Sequence, residues 1–100
     1  MIELNKIINL AIDEINKQLP SGKKVNKDTD IEIFGPNSNF DSMALINFVL
    51  IIEDELKKKK IDNKNILNFL MDKMTSIQSY KISDFKNDIK NLLNLDEKRN

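Results

Sequence analysis

Neither cysteine nor histidine occurs anywhere in the chain. Without thiols there is no disulfide framework, no thiolate metal site and no sulfur nucleophile. Without imidazole the usual general base and the usual zinc ligand are both missing. Tryptophan is absent too, aromatic residues make up only 6% of the sequence, and there are two glycines and two prolines. Such a chain has few means of doing chemistry with its own side chains, so a binding or carrying role is expected rather than an enzyme's. An excess of one charge is also lacking, because sixteen basic residues balance sixteen acidic ones. That removes a general electrostatic grip on nucleic acid or on an anionic membrane, and neither is an expected partner.

The most apolar stretch, residues 43–52, is interrupted only by Asn47 and falls far short of the ~20 residues that a membrane span requires. The opening Met1-Ile2-Glu3-Leu4-Asn5-Lys6 breaks its apolar run with an acid at once, unlike a secretory leader. A cytoplasmic, monomeric protein is therefore expected. What is present is 100 residues, 40% apolar and 32% charged. A chain of that size buries roughly 65% of its extended surface, enough for one modest core. The expectation is a single domain over residues 1–100, with a frayed polar tail at residues 96–100.

Residues 2–19 have the period of an amphipathic helix. Leu4, Ile7, Ile8, Ala11, Ile12, Ile15 and Leu19 follow one stripe, with Lys6, Asn9, Asp13, Glu14 and Lys17 between them. Pro20-Ser21-Gly22 ends it. From residue 23 to residue 40 the periodicity disappears, and Pro, Gly, Asn, Asp and Ser accumulate. Ile31, Ile33, Phe34 and Phe40 are apolar islands in this stretch, which predicts an ordered loop pinned over the core rather than a linker. The Ile31-Glu32-Ile33-Phe34 run is too short and isolated to predict a strand.

A second helix is predicted over residues 42–58. Steps of about 100° gather Leu45, Phe48, Val49, Ile52 and Leu56 on one face. Met43, Ile46 and Leu50 gather on roughly the opposite one, a second stripe that packing on a single core does not need. Lys57 to Lys60 suit the negative end of the helix dipole. Two shorter helices follow, one through Ile66, Phe69, Leu70 and Met74, the other through Ile82, Phe85, Ile89, Leu92 and Leu93, with Ser83 as its N-cap and Asp84 in its first turn. The predicted fold class is all-α: a small antiparallel four-helix bundle with a long ordered loop between helices 1 and 2.

Asp41-Ser42-Met43 lies where the loop meets the second helix. Two readings fit these residues. Asp41 is a preferred N-cap, so the trio can simply start a helix. Alternatively, a serine at a helix start projects its hydroxyl outward, near backbone N–H groups that stabilise an attached phosphate.

Phe34-Gly35, followed by Asn39-Phe40-Asp41-Ser42-Met43 opening an apolar helix, resembles the acyl carrier protein family. Asp28-Thr29 leading into Ile33-Phe34-Gly35 and the order of the helices extend the resemblance over about residues 2–93. The resemblance implies a 4′-phosphopantetheine arm on Ser42, taken from coenzyme A by a phosphopantetheinyl transferase. The arm's thiol would hold an acyl or aminoacyl thioester, importing the sulfur that the chain lacks. It also implies partner enzymes, such as an adenylating ligase, an acyltransferase or a ketosynthase. Met43, Ile46 and Leu50 would then form a docking surface, and Leu45, Val49, Ile52, Ile66 and Leu70 the wall of an acyl interior or simply the core. No metal site belongs to the carrier itself. The neutral charge, Ala44 and Asn47 after the serine, and Leu70-Met71-Asp72 are more similar to stand-alone carriers of secondary, surface-polysaccharide or aminoacyl pathways than to those of fatty acid synthesis. The alternative function is a small helical interaction module without a prosthetic group.

Other constellations are weaker. Asp30, Glu32, Gly35 and Asp41 fall at positions 1, 3, 6 and 12 of a calcium-loop register, but Phe34 occupies position 5, where an oxygen ligand is required. The lysine run reads as a solvated helix end, and Glu53 and Asp54 point different ways around their helix.

Overall fold

A computed structural model describes residues 4–93. Within them the chain forms α1 (Leu4–Gln18), β1 (Glu32–Phe34), α2 (Ser42–Lys58), α3 (Ile66–Ser76), β2 (Tyr80–Lys81) and α4 (Ile82–Leu92), with a 3-10 turn at Ser21–Lys23. The protein is mostly helical, and no helix among the described residues is long and apolar enough to cross a membrane. The expected frayed tail lies outside the described residues.

The stripe on α1 is buried as its period requires: Ile8, Ala11 and Ile15 are fully enclosed, and Leu4, Ile7, Ile12 and Leu19 nearly so. On α2 the core face is Ala44, Leu45, Phe48, Val49, Ile52 and Leu56. Ile66 and Leu70 of α3 and Ile82, Phe85 and Ile89 of α4 close the same cluster. Each such side chain contributes about 1.5–3 kcal/mol on burial, set against the conformational entropy lost on ordering. Among the described residues, no polar or charged residue is buried. Phe69, expected in the stripe of α3, is only half-buried, and Met74 is exposed. With eleven residues and two fully covered positions, α3 is the least enclosed helix.

The expectation that no strand forms at Ile31-Glu32-Ile33-Phe34 is corrected: the mostly helical fold also carries a small antiparallel sheet of β1 and β2. Glu32 lies opposite Lys81 and Phe34 opposite Tyr80, with an irregularity in register between them. The Ile82 N–H extends the pairing by donating to the Ile31 carbonyl at 2.8 Å. The strands are three and two residues long, and each partner is remote in sequence. Period-2 alternation has no room to show in so few residues.

The stretch between α1 and α2 is ordered, as expected, and its anchors are specific. Asn16 clamps the Val25 backbone from both sides, its amide donating to the carbonyl at 2.9 Å and its oxygen accepting the N–H at 2.8 Å. Lys24 donates to the Asn16 carbonyl in the last turn of α1, which helix geometry leaves unpaired, and to the Leu19 carbonyl just beyond the helix. Asn26 then builds a turn, accepting the Asp28 N–H on its side chain at 2.8 Å and the Thr29 hydroxyl on its carbonyl at 2.8 Å.

A second correction concerns α4. Ser83 is not its N-cap, because the helix begins at Ile82 and Lys81 makes no side-chain cap bond. The cap arrives from across the fold. The carboxylate of Asp30 accepts the Ser83 N–H at 2.9 Å and its hydroxyl at 2.8 Å. The start of α3 is treated similarly, with the Leu67 N–H donating to Glu53 of α2 at 3.1 Å. Aromatic rings link these parts in a row: Phe40 with Phe48, Phe48 with Phe85, Phe85 with Tyr80, and Tyr80 with Phe34. The Tyr80 hydroxyl donates to Asp88, which Lys73 approaches to 3.7 Å. Burial pushes the phenol's pKa well up, and the bond to Asp88 adds to the effect.

Candidate functional site

The first turn of α2 is built as an open helix start. Asp41 is extended at the N-cap position, and its carboxylate accepts the Ala44 N–H at 2.8 Å, while its carbonyl accepts the Leu45 N–H at 2.9 Å. Ser42 and Met43 therefore hold the first two helical positions, whose N–H groups have no carbonyl within the helix to bond. Ser42 is exposed. Its hydroxyl stands at the positive end of a seventeen-residue helix, where an anion is stabilised by about 0.3–1 kcal/mol at an exposed site. The hydroxyl alone is a weak nucleophile, because a serine needs an adjacent base and the chain has no histidine.

The loop that delivers Asp41 and Ser42 is pinned at close intervals. Gly35 has a φ of +132°, a conformation that L side chains rarely adopt. An added Cβ there would also run into the Glu32 carboxylate and come within 2.7 Å of the Ser79 side chain. Glu32 accepts the Asn37 N–H at 2.9 Å. The Ser38 hydroxyl donates to the Ile33 carbonyl at 3.0 Å and accepts the Phe40 N–H at 3.1 Å. The Phe40 ring then rests against Phe48 of α2, with centroids 5.4 Å apart.

The expected second stripe is largely on the surface. Met43 is 66% and Leu50 45% exposed, while Ile46 is half-buried. Its place around α2 follows from two cross-helix contacts. Asn47 meets Gln18 of α1 at 3.2 Å, and Glu53 meets the start of α3. Steps of about 100° put Ile46 beside Glu53, Leu50 midway between Glu53 and Asn47, and Met43 closer to Asn47. The stripe thus lies on the outer face of α2 between the two contacts, with Ile46 toward α3 and Met43 nearer the Asn47 side. On α3, Met71 and Met74 are exposed as well, and the same geometry turns them away from Lys73, the residue that faces Asp88 of α4.

Leu45, Val49, Ile52, Ile66 and Leu70 all lie in the core cluster, none more than 4% exposed. Among the described residues no group of three or more acidic side chains gathers to hold a metal ion. Sequence reading did not single out Ser38 or Tyr80, and it named Glu32 only in a calcium-loop register, not as an anchor of this loop. Asn37-Ser38-Asn39 carries a turn signal, but the signal does not say which hydroxyl ties which strand to which helix. In comparisons with known proteins, no family model, no curated protein and no solved structure matches this chain.

Proposed function

We propose that this protein is an acyl carrier: Ser42 bears a 4′-phosphopantetheine arm, and the chain is a substrate for partner enzymes rather than an enzyme itself. The observation that carries this reading is an exposed serine at the open N-terminus of α2, directly after a capping aspartate. Attachment joins the Ser42 oxygen to phosphorus and breaks the bond between that phosphorus and the adenosine bisphosphate of coenzyme A. A transferase supplies the base and the magnesium. The residues here fit such an ester, because the N–H groups of Ser42 and Met43 are placed to stabilise its negative charge. The arm supplies a terminal thiol to hold an acyl or aminoacyl group, which the cysteine-free chain cannot do alone.

In this reading Met43, Ile46 and Leu50 dock the transferase and a ligase, acyltransferase or ketosynthase, and the four helices work as an antiparallel bundle. The contacts of Gln18 with Asn47 and of Glu53 with Leu67 support that arrangement. The neutral chain favours stand-alone carriers of secondary, surface-polysaccharide or aminoacyl pathways, acting in the cytoplasm as a monomer. A second reading, an interaction module that binds a partner through the exposed methionines, is favoured by Met43, Met71 and Met74, since methionine suits adaptable surfaces.

The deciding experiment incubates the chain with a broad-specificity phosphopantetheinyl transferase, magnesium and coenzyme A, followed by intact mass measurement. The expected result is a gain of one arm, abolished by Ser42→Ala. No gain with several transferases overturns the carrier reading in favour of the interaction module.

A further inference from the structure

Between the buried strand residue Ile33 and the helix start at Asp41, the chain crosses the surface through seven residues that belong to no helix or strand apart from Phe34. Ile33 is fully enclosed in the core, whereas Asp41 and Ser42 are exposed. The direction in which Ser42 points depends on how firmly this crossing is fixed. One half-buried hydroxyl spans it. Ser38 Oγ donates to the Ile33 carbonyl at 3.0 Å and accepts the Phe40 N–H at 3.1 Å, so it is used in both directions at once. The Ser38 N–H meanwhile closes a turn on the Gly35 carbonyl at 3.1 Å. Phe40 carries the constraint onward, since its ring packs on Phe48 and its carbonyl leads directly into Asp41.

We propose that Ser38 is the positioning residue of this site, holding the 39–41 segment in the geometry that a modifying transferase engages at Ser42. The inference rests on the carrier reading and adds to it a specific residue outside the Asp-Ser-Met motif. Physically, the hydroxyl raises the fraction of molecules whose loop is already competent. A partner that binds only the competent form has its apparent affinity multiplied by that fraction, which falls when the tie is cut. Alanine at this position leaves the Phe40 N–H and the Ile33 carbonyl each short of a hydrogen bond. The cost falls on encounter rather than on the transfer step, because Ser38 does not touch the reacting atoms.

The test measures transferase kinetics on wild type, Ser38→Ala, Ser38→Cys and Ser38→Thr at saturating coenzyme A, with thermal midpoints in parallel. Cysteine keeps the packing with a poor hydrogen-bonding group, so it serves if the alanine variant fails to fold. The expected result is a KM for the carrier raised roughly 5-fold in Ser38→Ala and Ser38→Cys, with kcat retained and Ser38→Thr close to wild type. Faster amide exchange at Phe40 accompanies the change. An unchanged KM with normally modified wild type overturns the positioning role. So does a parallel fall of kcat and kcat/KM that Ser38→Thr fails to rescue, which marks a merely structural residue. Wild-type chain left unmodified overturns the carrier reading, and this inference falls with it.

Discussion

Asp41 and Ala44 share a hydrogen bond of 2.8 Å, from backbone N–H to carboxylate, that closes the first turn of α2. It is a local N-cap, three residues in span, and it fixes where the helix starts and hence which residue comes first on it. Asp41→Ala is expected to lower stability by about 1 kcal/mol, seen as a thermal midpoint lower by about 4–8 °C. Asp41→Asn, which keeps an accepting oxygen, is expected to retain most of that stability.

Gly35 carries a second local requirement. Its φ of +132° and the closeness of Ser79 leave no room for a Cβ. Gly35→Ala is expected to cost about 1–3 kcal/mol, measured by chemical denaturation. Because Glu32 must move aside, the amide of Asn37 is expected to exchange faster in the same variant.

The opposite outcome is expected at the end of α2. Lys60 has a φ of +62°, its N–H donates to the Lys57 carbonyl at 2.9 Å, and the Ile61 N–H donates to the Leu56 carbonyl at 2.9 Å. This pair of bonds is a Schellman ending, with lysine where glycine is usual. Leu56 is buried and Ile61 packs on the core beside it. The left-handed conformation costs a side-chain-bearing residue roughly 1–2 kcal/mol, partly offset by the greater freedom of glycine in the unfolded chain. Lys60→Gly is therefore expected to raise stability by about 0.5–1 kcal/mol, readable as a higher denaturant midpoint with an unchanged slope.

Acid sensitivity is expected where the loop meets α4. The Ser83 N–H, and then its hydroxyl, hold the Asp30 carboxyl below its ordinary value of 3.8. A depressed folded-state pKa means that the unfolded chain takes up the proton first. The stabilisation is thus complete above 3.8 and is lost as the pH falls below it through the folded value. Asp30→Asn is expected to flatten this part of the acid limb in urea melts. The effect is small because the pair is exposed.

The surface stripe gives a prediction about function with the fold held constant. Met43→Glu and Leu50→Glu alter exposed positions, so stability is expected to change by no more than about 0.5 kcal/mol. Loading of Ser42, or transfer by a partner enzyme, is expected to weaken. Unaltered kinetics with every partner would remove these residues from the docking surface.

The sequence by itself determined what depends on near neighbours. The 3.6-residue period marked the buried face of α1 and of α2, because adjacent turns of one helix point the same way. Asp41 could be read as a cap, and Ser42 as the residue it presents, since the bond spans three residues. The tertiary structure decided everything that reaches across the chain. Asp30 rather than Ser83 caps α4, over a separation of 53 residues, and Glu53 caps α3 from another helix. β1 exists only because Tyr80 and Lys81 arrive beside it. A carboxylate or a strand edge can satisfy any donor that folding brings near, and linear order does not say which one that will be.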